Sequence, residues 1–232
     1  MATAEMPKIK IQYFNIQGVT EKVRLALTLG RIPFEDERVP FDEWGALKPK
    51  TPYGQLPLMQ IDGDEPMAQS DAMLRYAGKL ATERTGVPLY APEDLLQIEE
   101  ALGLIGDISR DFRLPVYLGM NPGAFGYPEG FKGSDEHAAV TKAVRETFMA
   151  ESFPKLMGYV SGKLAKSPFL AGGSSPTIAD CALVPVLNRF RSGGVDHVPV
   201  DCLAAFPDII AYLDRFMALP EIKTWYESHK AF

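Results

Sequence analysis

Residues 53–76 constrain the fold of this chain more than any other stretch, because they combine a strand, a tight turn and a helix start. The apolar run at 56–61 predicts a short strand, and Asp62-Gly63 is typical of a hairpin turn. A second short strand through Met67-Ala68 is expected to pair with the first. It runs into Ser70, a favoured N-cap for the apolar helix that follows.

The same stretch predicts a place where a ligand can meet bare backbone. Pro57 lacks an N–H, so the backbone groups of Leu56 are left free, and a cis bond at Pro57 would bend the chain sharply. The amides of Ser70 and Asp71 lie at the positive end of a helix dipole and suit a carboxylate. This combination fits a small peptide with carboxylates, and it fits an ordinary hairpin-to-helix connection equally well.

Composition limits the classes of partner. The 232 residues carry a formal net charge of −6, which argues against nucleic acid or an anionic membrane. No apolar run approaches the roughly 20 residues that span a bilayer, and the first residues lack the features of a secretory signal. Cys181 and Cys202 are isolated, so neither a disulfide framework nor a metal site is supported. These features predict a cytoplasmic protein.

The first part of the chain predicts a mixed α/β domain over residues 8–86. Alternating polarity at 8–13 indicates a half-buried strand. Thr20 is a candidate cap for the next helix, and Gly30 is a candidate stop. Residues 33–39 predict an edge strand protected by charge. The order strand, helix, strand, irregular segment, hairpin and helix is that of a thioredoxin-like domain.

Beyond a linker rich in Pro and Gly, residues 93–232 predict an all-helical bundle. Apolar residues recur at helical spacing from Ile98 to Phe112 and indicate a long amphipathic helix. Four further helical stretches are expected at about 138–164, 178–191, 207–217 and 222–230.

Two local features distinguish this second domain. Residues 117–136 are too rich in Gly and Pro for a continuous helix, and they either line a cavity or form a surface excursion. Thr177 and Asp180 form a capping box with Asp in the usual Glu position. Asp180 is therefore expected to be a buried structural carboxylate.

Several of these motifs, in this order, resemble the cytosolic glutathione transferases. The resemblance rests on Gly-Gln-Leu-Pro at 54–57, the Asp-Gly turn and Gln69-Ser70, and it covers nearly the whole chain except about 117–136. Tyr13-Phe14-Asn15, with Trp44 and Lys48, looks most like the sigma class, with mu, pi and alpha as neighbours. It implies a thioredoxin-like α/β domain followed by an all-α bundle.

The resemblance also implies roles for individual residues. It implies that glutathione is bound by the side chains or backbone of Trp44, Lys48, Gln55, Leu56, Pro57, Gln69 and Ser70. It implies a homodimer in which Asp111 reaches the partner's glutathione. It suggests an electrophile pocket lined by Phe14, Val19, Leu114 and Tyr117. Glutathione would be a co-substrate, with no further cofactor or metal.

Tyr13 is the residue that would carry the chemistry. A free thiol, with a pKa of about 8.5, is only a few per cent ionised at neutral pH, and a hydroxyl aimed at the sulfur stabilises the thiolate. A tyrosine at a strand end usually packs, but the resemblance implies that Tyr13 is catalytic. Sigma enzymes typically have an Arg where this chain has Val19, so a weaker thiolate or a different electrophile is expected.

Three functions are compatible with these residues. The first is conjugation of glutathione to apolar electrophiles. The second, at the same site, is isomerisation of a prostaglandin-like endoperoxide or reduction of hydroperoxides. The third is a catalytically weak binding or structural protein, an alternative that Val19 and the inserted loop keep open.

Overall fold

The computed structural model describes residues 5–229, and its first part is built on a three-stranded sheet. The strands are β1 (Ile9–Phe14), β2 (Phe34–Val39) and β3 (Leu58–Ile61), in the order β2-β1-β3. β1 is parallel to β2 and antiparallel to β3. Burial alternates along β1, which confirms the half-buried strand predicted from its polarity. β2 lies at a sheet edge, as its charged residues predicted.

Three helices complete this part of the chain: α1 (Glu21–Leu29), α2 (Trp44–Leu47) and α3 (Ser70–Leu80). α1 packs against α3 within the first part and against the helical part of the chain. Its apolar face is fully buried, with Val23 and Leu27 in the same core as Ile11 of β1. The core therefore runs without a break from the sheet into the helices.

The predicted hairpin is shorter than expected. Met67 forms a single bridge to Met59, with reciprocal N–O distances of 2.8 and 2.9 Å, and no second strand follows within the described part of this segment. The predicted N-cap at Ser70 is also wrong. Gln69 is the last non-helical residue, with φ 82°, so Ser70 is the first residue of α3 and its hydroxyl caps nothing among the described residues.

The prediction that Thr20 caps α1 is wrong. Thr20 precedes α1 but has helical dihedral angles, because a 3₁₀ turn at Gly18–Thr20 leads straight into the helix. Its hydroxyl therefore caps no N–H of the helix. The predicted stop at Gly30 is confirmed, since α1 ends at Leu29, but Gly30 has φ −70° and the left-handed residue is Arg31, with φ 53°.

The rest of the chain is helical, as predicted. Its helices are α4 (Leu95–Met120), α5 (Asp135–Thr147), α6 (Phe153–Leu164), α7 (Ile178–Arg191), α8 (Pro207–Met217) and α9 (Pro220–Ser228). α7 and α8 match their predicted limits. A wide turn at Phe148–Ser152 separates α5 from α6, where one stretch was predicted. Lys230, the predicted end of the last helix, lies outside the described residues.

The segment 117–136 is more ordered than its composition suggests. Its first residues continue α4 to Met120, past Pro115, and a 3₁₀ turn covers Pro122–Phe125. Phe131 is buried, stacks on Tyr127 at 4.1 Å between ring centroids and meets the edge of His137. In the described part of the chain, no helix is long and apolar enough to cross a membrane.

The capping box at the start of α7 is confirmed and is wholly buried. Asp180 accepts hydrogen bonds from the N–H of Thr177 at 2.7 Å, the N–H of Leu170 at 3.0 Å and the hydroxyl of Tyr212 at 3.0 Å. Burial raises the pKa of Asp180, while these donors oppose the rise. One carboxylate thus joins α7, α8 and the loop before α7.

We expect Asp180→Asn to lower the free energy of unfolding by about 2–4 kcal/mol, because an amide cannot accept all of these bonds and strands buried donors. Denaturant titration would measure the loss. Asp208→Asn is the matched control, since Asp208 is exposed in the first turn of α8, and it should cost less than about 1 kcal/mol. Equal losses in both variants would contradict the structural role of Asp180.

Candidate active site

Tyr13 lies near the end of β1 with its hydroxyl beside the loop that follows. The side chain is 7% exposed and shares the buried face of β1 with Ile9 and Ile11. The backbone N–H of Val19 is near enough to the phenol oxygen to lower its pKa. The hydroxyl forms no hydrogen bond within residues 5–229, so its hydrogen is available to a ligand.

Gly18 makes this arrangement possible. It has φ 49°, in the region that favours glycine, and a Cβ at this position would collide with the hydroxyl oxygen and ring of Tyr13. The loop therefore approaches the phenol closely because residue 18 has no side chain.

A buried arginine orders the same loop. Arg24 on α1 donates to the carbonyl of Ile16 at 3.0 Å, to Glu21 at 3.1 Å and to Asp36 on β2 at 3.0 Å. Its guanidinium also lies 5.7 Å from the ring centroid of Tyr13, within the range of a cation–π contact. The sequence did not point to Arg24, because a charged residue within an apolar helix pattern gives no sign of its burial.

The environment keeps the Tyr13 hydroxyl protonated. Burial raises the pKa of Tyr13, and the nearby phenol of Tyr117 adds to the rise. The Val19 N–H, Arg24 and Arg189 act in the opposite direction without cancelling it. A phenol with a raised pKa donates a hydrogen bond at neutral pH and does not act as a base.

The Leu56–Pro57 segment lies opposite Tyr13. The peptide bond is cis, as the turn residues allowed. Continuing the β1–β3 register by one pair beyond Gln12 and Leu58 places Pro57 across from Tyr13. Within residues 5–229, the N–H and carbonyl of Leu56 make no hydrogen bond. The predicted free backbone edge is therefore present beside the phenol.

The start of α3 presents two free amides. The N–H groups of Ser70 and Asp71 have no partner within the described ranges, as expected in a first helical turn. Gln69 before them has φ 82° and ψ 94°, a conformation that costs a non-glycine residue about 1–3 kcal/mol. Such strain is often found at ligand sites. The Asp71 carboxylate itself is turned to Lys22.

Trp44 and Lys48 lie on consecutive turns, as their spacing predicted, and the Lys48 N–H bonds to the Trp44 carbonyl. The indole meets the edge of Phe14 at 5.5 Å, and Phe14 stacks on Phe41 at 4.7 Å. The Lys48 ammonium has no ion-pair partner in the part of the chain that the structure describes. Phe14 therefore packs with Trp44, on the face of β1 opposite Tyr13.

The remaining predicted residues are exposed. Val19, Leu114 and Tyr117 each expose more than a third of their surface, and Tyr117 is near enough to Tyr13 to affect its pKa. Asp111 points to solvent with Arg110 at 3.6 Å, and Gln55 is exposed beside Leu56. The positive charge of Arg189 on α7 also lowers the pKa of Tyr13. No sequence motif pointed to Arg189.

Comparison with known proteins agrees with this architecture. Residues 19–80 match a model of the glutathione S-transferase N-terminal domain, and residues 131–229 match one of the C-terminal domain. Glutathione S-transferase 1 of Ascaris suum is 31% identical over 220 residues, covering 95% of this chain and 96% of that protein.

Solved structures give the same result. The glutathione S-transferase of Ascaris lumbricoides has a TM-score of 0.72 at 30% identity, covering 96% of this chain and 98% of its own. A structure described as prostaglandin synthase D of Nilaparvata lugens has a TM-score of 0.73 at 27% identity, covering 95% and 98%.

The predicted fold class, a thioredoxin-like domain followed by a helical domain, is therefore confirmed. The chain belongs to the glutathione S-transferase family and is a glutathione transferase. Members of this family use glutathione as a co-substrate.

We expect Gly18→Ala to destabilise the protein by about 1–3 kcal/mol more than Gly126→Ala, as measured by denaturant unfolding. Both positions have positive φ and share the backbone cost, but only at residue 18 would the added methyl collide with Tyr13. A Cβ at Gly126 has nothing within 4 Å. Equal losses would show that the loop does not depend on close contact with the phenol.

Proposed function

We propose that this protein adds the thiolate of glutathione to apolar electrophiles, and that Tyr13 donates the hydrogen bond that stabilises the thiolate. The observation that carries the proposal is the Tyr13 hydroxyl, which has no hydrogen-bond partner among the described residues and whose raised pKa keeps its hydrogen in place at neutral pH. Lowering a thiol pKa by about two units needs roughly 2.7 kcal/mol. One charge-assisted hydrogen bond and a nearby helix terminus supply this amount.

Glutathione is proposed to bind along the free backbone edge. Its cysteinyl part pairs with the backbone of Leu56, beside Pro57 and Gln55. The γ-glutamyl carboxylate accepts from the amides at the start of α3, with Gln69 and Ser70 alongside. Its glycyl carboxylate meets Lys48 and Trp44, and the unpaired ammonium of Lys48 supports this orientation.

The electrophile is proposed to lie above the sulfur, against Val19, Leu114 and Tyr117. These side chains are apolar or aromatic and exposed, and Val19 and Tyr117 lie near enough to Tyr13 to affect its pKa. Phe14 contributes from the other side of β1, through its packing with Trp44. Such a pocket selects electrophiles by their apolar surface and their shape, because it has few polar groups that would favour one particular substrate.

The class assignment is also a proposal. Tyr13-Phe14-Asn15, Trp44 and Lys48 favour a sigma-like enzyme, and Val19 departs from that pattern. Arg24 supplies a positive charge beneath the phenol ring, so replacing the family's Arg by Val19 does not leave the site without a cation. The proposed site therefore keeps a cation beneath the Tyr13 ring, and it has an apolar side chain at position 19.

A second candidate reaction uses the same site. The neighbour from Nilaparvata lugens is described as a prostaglandin synthase, which favours isomerisation of a prostaglandin-like endoperoxide as the alternative. In that case the thiolate would attack one peroxide oxygen and break the O–O bond, and the other oxygen would take up a proton. Loss of the proton from the carbon that bears the S–O group would then form a carbonyl and release the thiolate. Assaying one preparation with an aryl halide and with an endoperoxide separates the two reactions.

We propose that the protein is cytoplasmic. Cys181 and Cys202 are both free thiols, and burial raises the pKa of each, with the larger effect at Cys181. Unpaired cysteines of this kind are typical of a reducing compartment.

Tyr13→Phe tests the catalytic role directly, because it keeps the ring and deletes one donor. We expect glutathione affinity to change by less than about twofold. Turnover with a chlorodinitrobenzene-type electrophile should fall about 10–100-fold, less than for a donor in a fully enclosed site because water partly solvates the thiolate. The pH–rate profile should shift to alkaline pH, and ultraviolet absorbance during a pH titration follows the bound thiolate.

The matched control for this experiment is Tyr159→Phe, an exposed tyrosine on α6. It should leave both the turnover and the thiolate titration unchanged. If the thiolate titration of Tyr13→Phe overlays the wild type, Tyr13 serves packing alone and another group activates the thiol.

The protein is further proposed to form a homodimer in which Asp111 completes the partner's glutathione site. Asp111 is exposed, with only a 3.6 Å contact to its neighbour Arg110 among the described residues. Large apolar side chains are also exposed on the surface of this chain, notably Leu96, Tyr53 and Phe41. An acid that reaches across an interface would meet the ammonium of the γ-glutamyl group.

Asp111→Asn should weaken glutathione binding by about 1–3 kcal/mol, the range for removing a charged hydrogen-bond partner. Calorimetry measures the affinity, and sedimentation measures the oligomeric state. Asp208→Asn serves as the control and should alter neither. A monomer that binds glutathione with wild-type affinity in the Asp111→Asn variant would refute the shared site.

A further inference from the structure

A cavity of about 380 Å³ lies in the helical domain, and the proposed reaction does not use it. It is enclosed by the end of α4, by α5, by the end of α7 and by the loop at residues 194–197. Its walls combine apolar side chains, among them Val116, Met120 and Val195, with Arg145, Arg189 and Thr141. None of the described residues that line it comes from the glutathione-binding half of the chain.

Two arginines give the cavity a positive charge. Arg145 is held in the wall, with Nε donating to the Pro115 carbonyl at 2.9 Å and Nη1 donating to the Asp196 carbonyl at 3.1 Å. Its Nη2 lies against Gly119, where a Cβ would come within 2.6 Å. Nη2 donates no hydrogen bond within residues 5–229, so this nitrogen of the guanidinium is available to a ligand.

Arg189 is the second cation. Its guanidinium has no hydrogen-bond or ion-pair partner in the described part of the chain. Burial lowers the pKa of Arg145, and the like charge of Arg189 lowers it further against the opposing carboxylate of Asp196. That carboxylate is 88% exposed and 3.7 Å from Nη1, so it compensates one charge at the rim. Among the described residues, one positive charge is left without a counterion, in a chain of net charge −6.

Thr141 adds a polar group that lacks a partner. It is 7% exposed, and its Oγ1 makes no hydrogen bond to any described residue. A buried hydroxyl without a partner is costly, and threonine in a helix has two accessible χ1 wells. The hydroxyl can therefore turn to an acceptor that enters the cavity.

The neighbouring histidines are less suited to bind a ligand. His137 is saturated, because its Nε2 lies 2.9 Å from the Leu118 carbonyl and its Nδ1 accepts from the Gly133 N–H. These contacts are satisfied by a ring with its hydrogen on Nε2. His197 is exposed at the mouth, on a residue with φ 60°. The polar groups left for a ligand are therefore Arg145, Arg189 and Thr141.

We propose that this cavity binds the carboxylate of an apolar organic acid. The head group lies between Arg189, Nη2 of Arg145 and the Thr141 hydroxyl, and the hydrocarbon lies along Val116 and Met120. A single uncompensated charge suits a monoanion, and the volume exceeds what a carboxylate alone would fill. Arg189 also lowers the pKa of Tyr13, so an acid that neutralises Arg189 would change the electrostatics of the proposed catalytic residue.

Calorimetry with octanoate and 1-octanol tests the site without reference to catalysis. We expect octanoate to bind at least about tenfold more tightly than 1-octanol, because only the acid gains charge-assisted hydrogen bonds. Arg189→Gln should weaken octanoate binding about tenfold or more and leave 1-octanol unchanged. Thr141→Val should weaken octanoate binding by a similar factor while the melting temperature of the free protein stays equal or rises.

Arg191→Gln is the matched control, because Arg191 is two residues further along α7, pairs with Asp214 and does not line the cavity. It should bind octanoate as the wild type does. Wild-type octanoate affinity in Arg189→Gln, or equal binding of octanoate and 1-octanol, would overturn the proposal.

Turnover with 4-chloro-3-nitrobenzoate and with its methyl ester distinguishes a bound effector acid from an acidic substrate. If the cavity holds the substrate's carboxylate, Arg189→Gln lowers turnover of the acid relative to that of the ester. If it holds a separate acid, the ratio of the two turnovers stays as in the wild type while octanoate binding is lost. Absence of any conjugation in the wild type would refute the proposed reaction and leave the octanoate result intact.

Discussion

The active site depends on the buried guanidinium of Arg24. It binds the carbonyl of Ile16, the carboxylate of Glu21 and that of Asp36, and so joins the loop after β1 to α1 and to β2. Glu21 in turn accepts from the indole of Trp225 on α9. A buried charge is stable only when several partners compensate it, so this network holds the loop in a single position. The same loop carries the Val19 amide, which lies near the Tyr13 hydroxyl and lowers its pKa.

Positive charge at the candidate site comes mainly from backbone amides, a helix dipole and a paired arginine. The start of α3 offers amides and a helix dipole, and the guanidinium of Arg24, paired with Glu21 and Asp36, lies 5.7 Å from the centre of the Tyr13 ring. Lys48 is the exposed exception. This arrangement suits a peptide with two carboxylates and a thiolate in a chain that is acidic overall. In the helical domain the reverse holds, because Arg189 presents its charge directly to a cavity.

Much of the fold was predictable because its signals are local. β1, the capping box at Asp180 and the limits of α7 follow from alternation, cap chemistry and helical spacing, which are properties of neighbouring residues. The errors occurred where tertiary packing overrode a local preference. Thr20 has a capping hydroxyl but lies inside a continuous turn, and Ser70 follows a strained Gln69 that takes the non-helical position. Neither outcome is encoded by residue type.

The sequence by itself determined the family, the order of the elements and the candidate residues around Tyr13 and Leu56, since these depend on motifs and their spacing. Only the tertiary structure decided which groups meet. It placed the Val19 amide near the phenol oxygen, Arg24 beneath the ring, and Arg145 and Arg189 on the walls of one cavity. These pairs lie on different elements or depend on a backbone turn. Their electrostatic effects arise from burial and distance, which a linear pattern of residues does not contain.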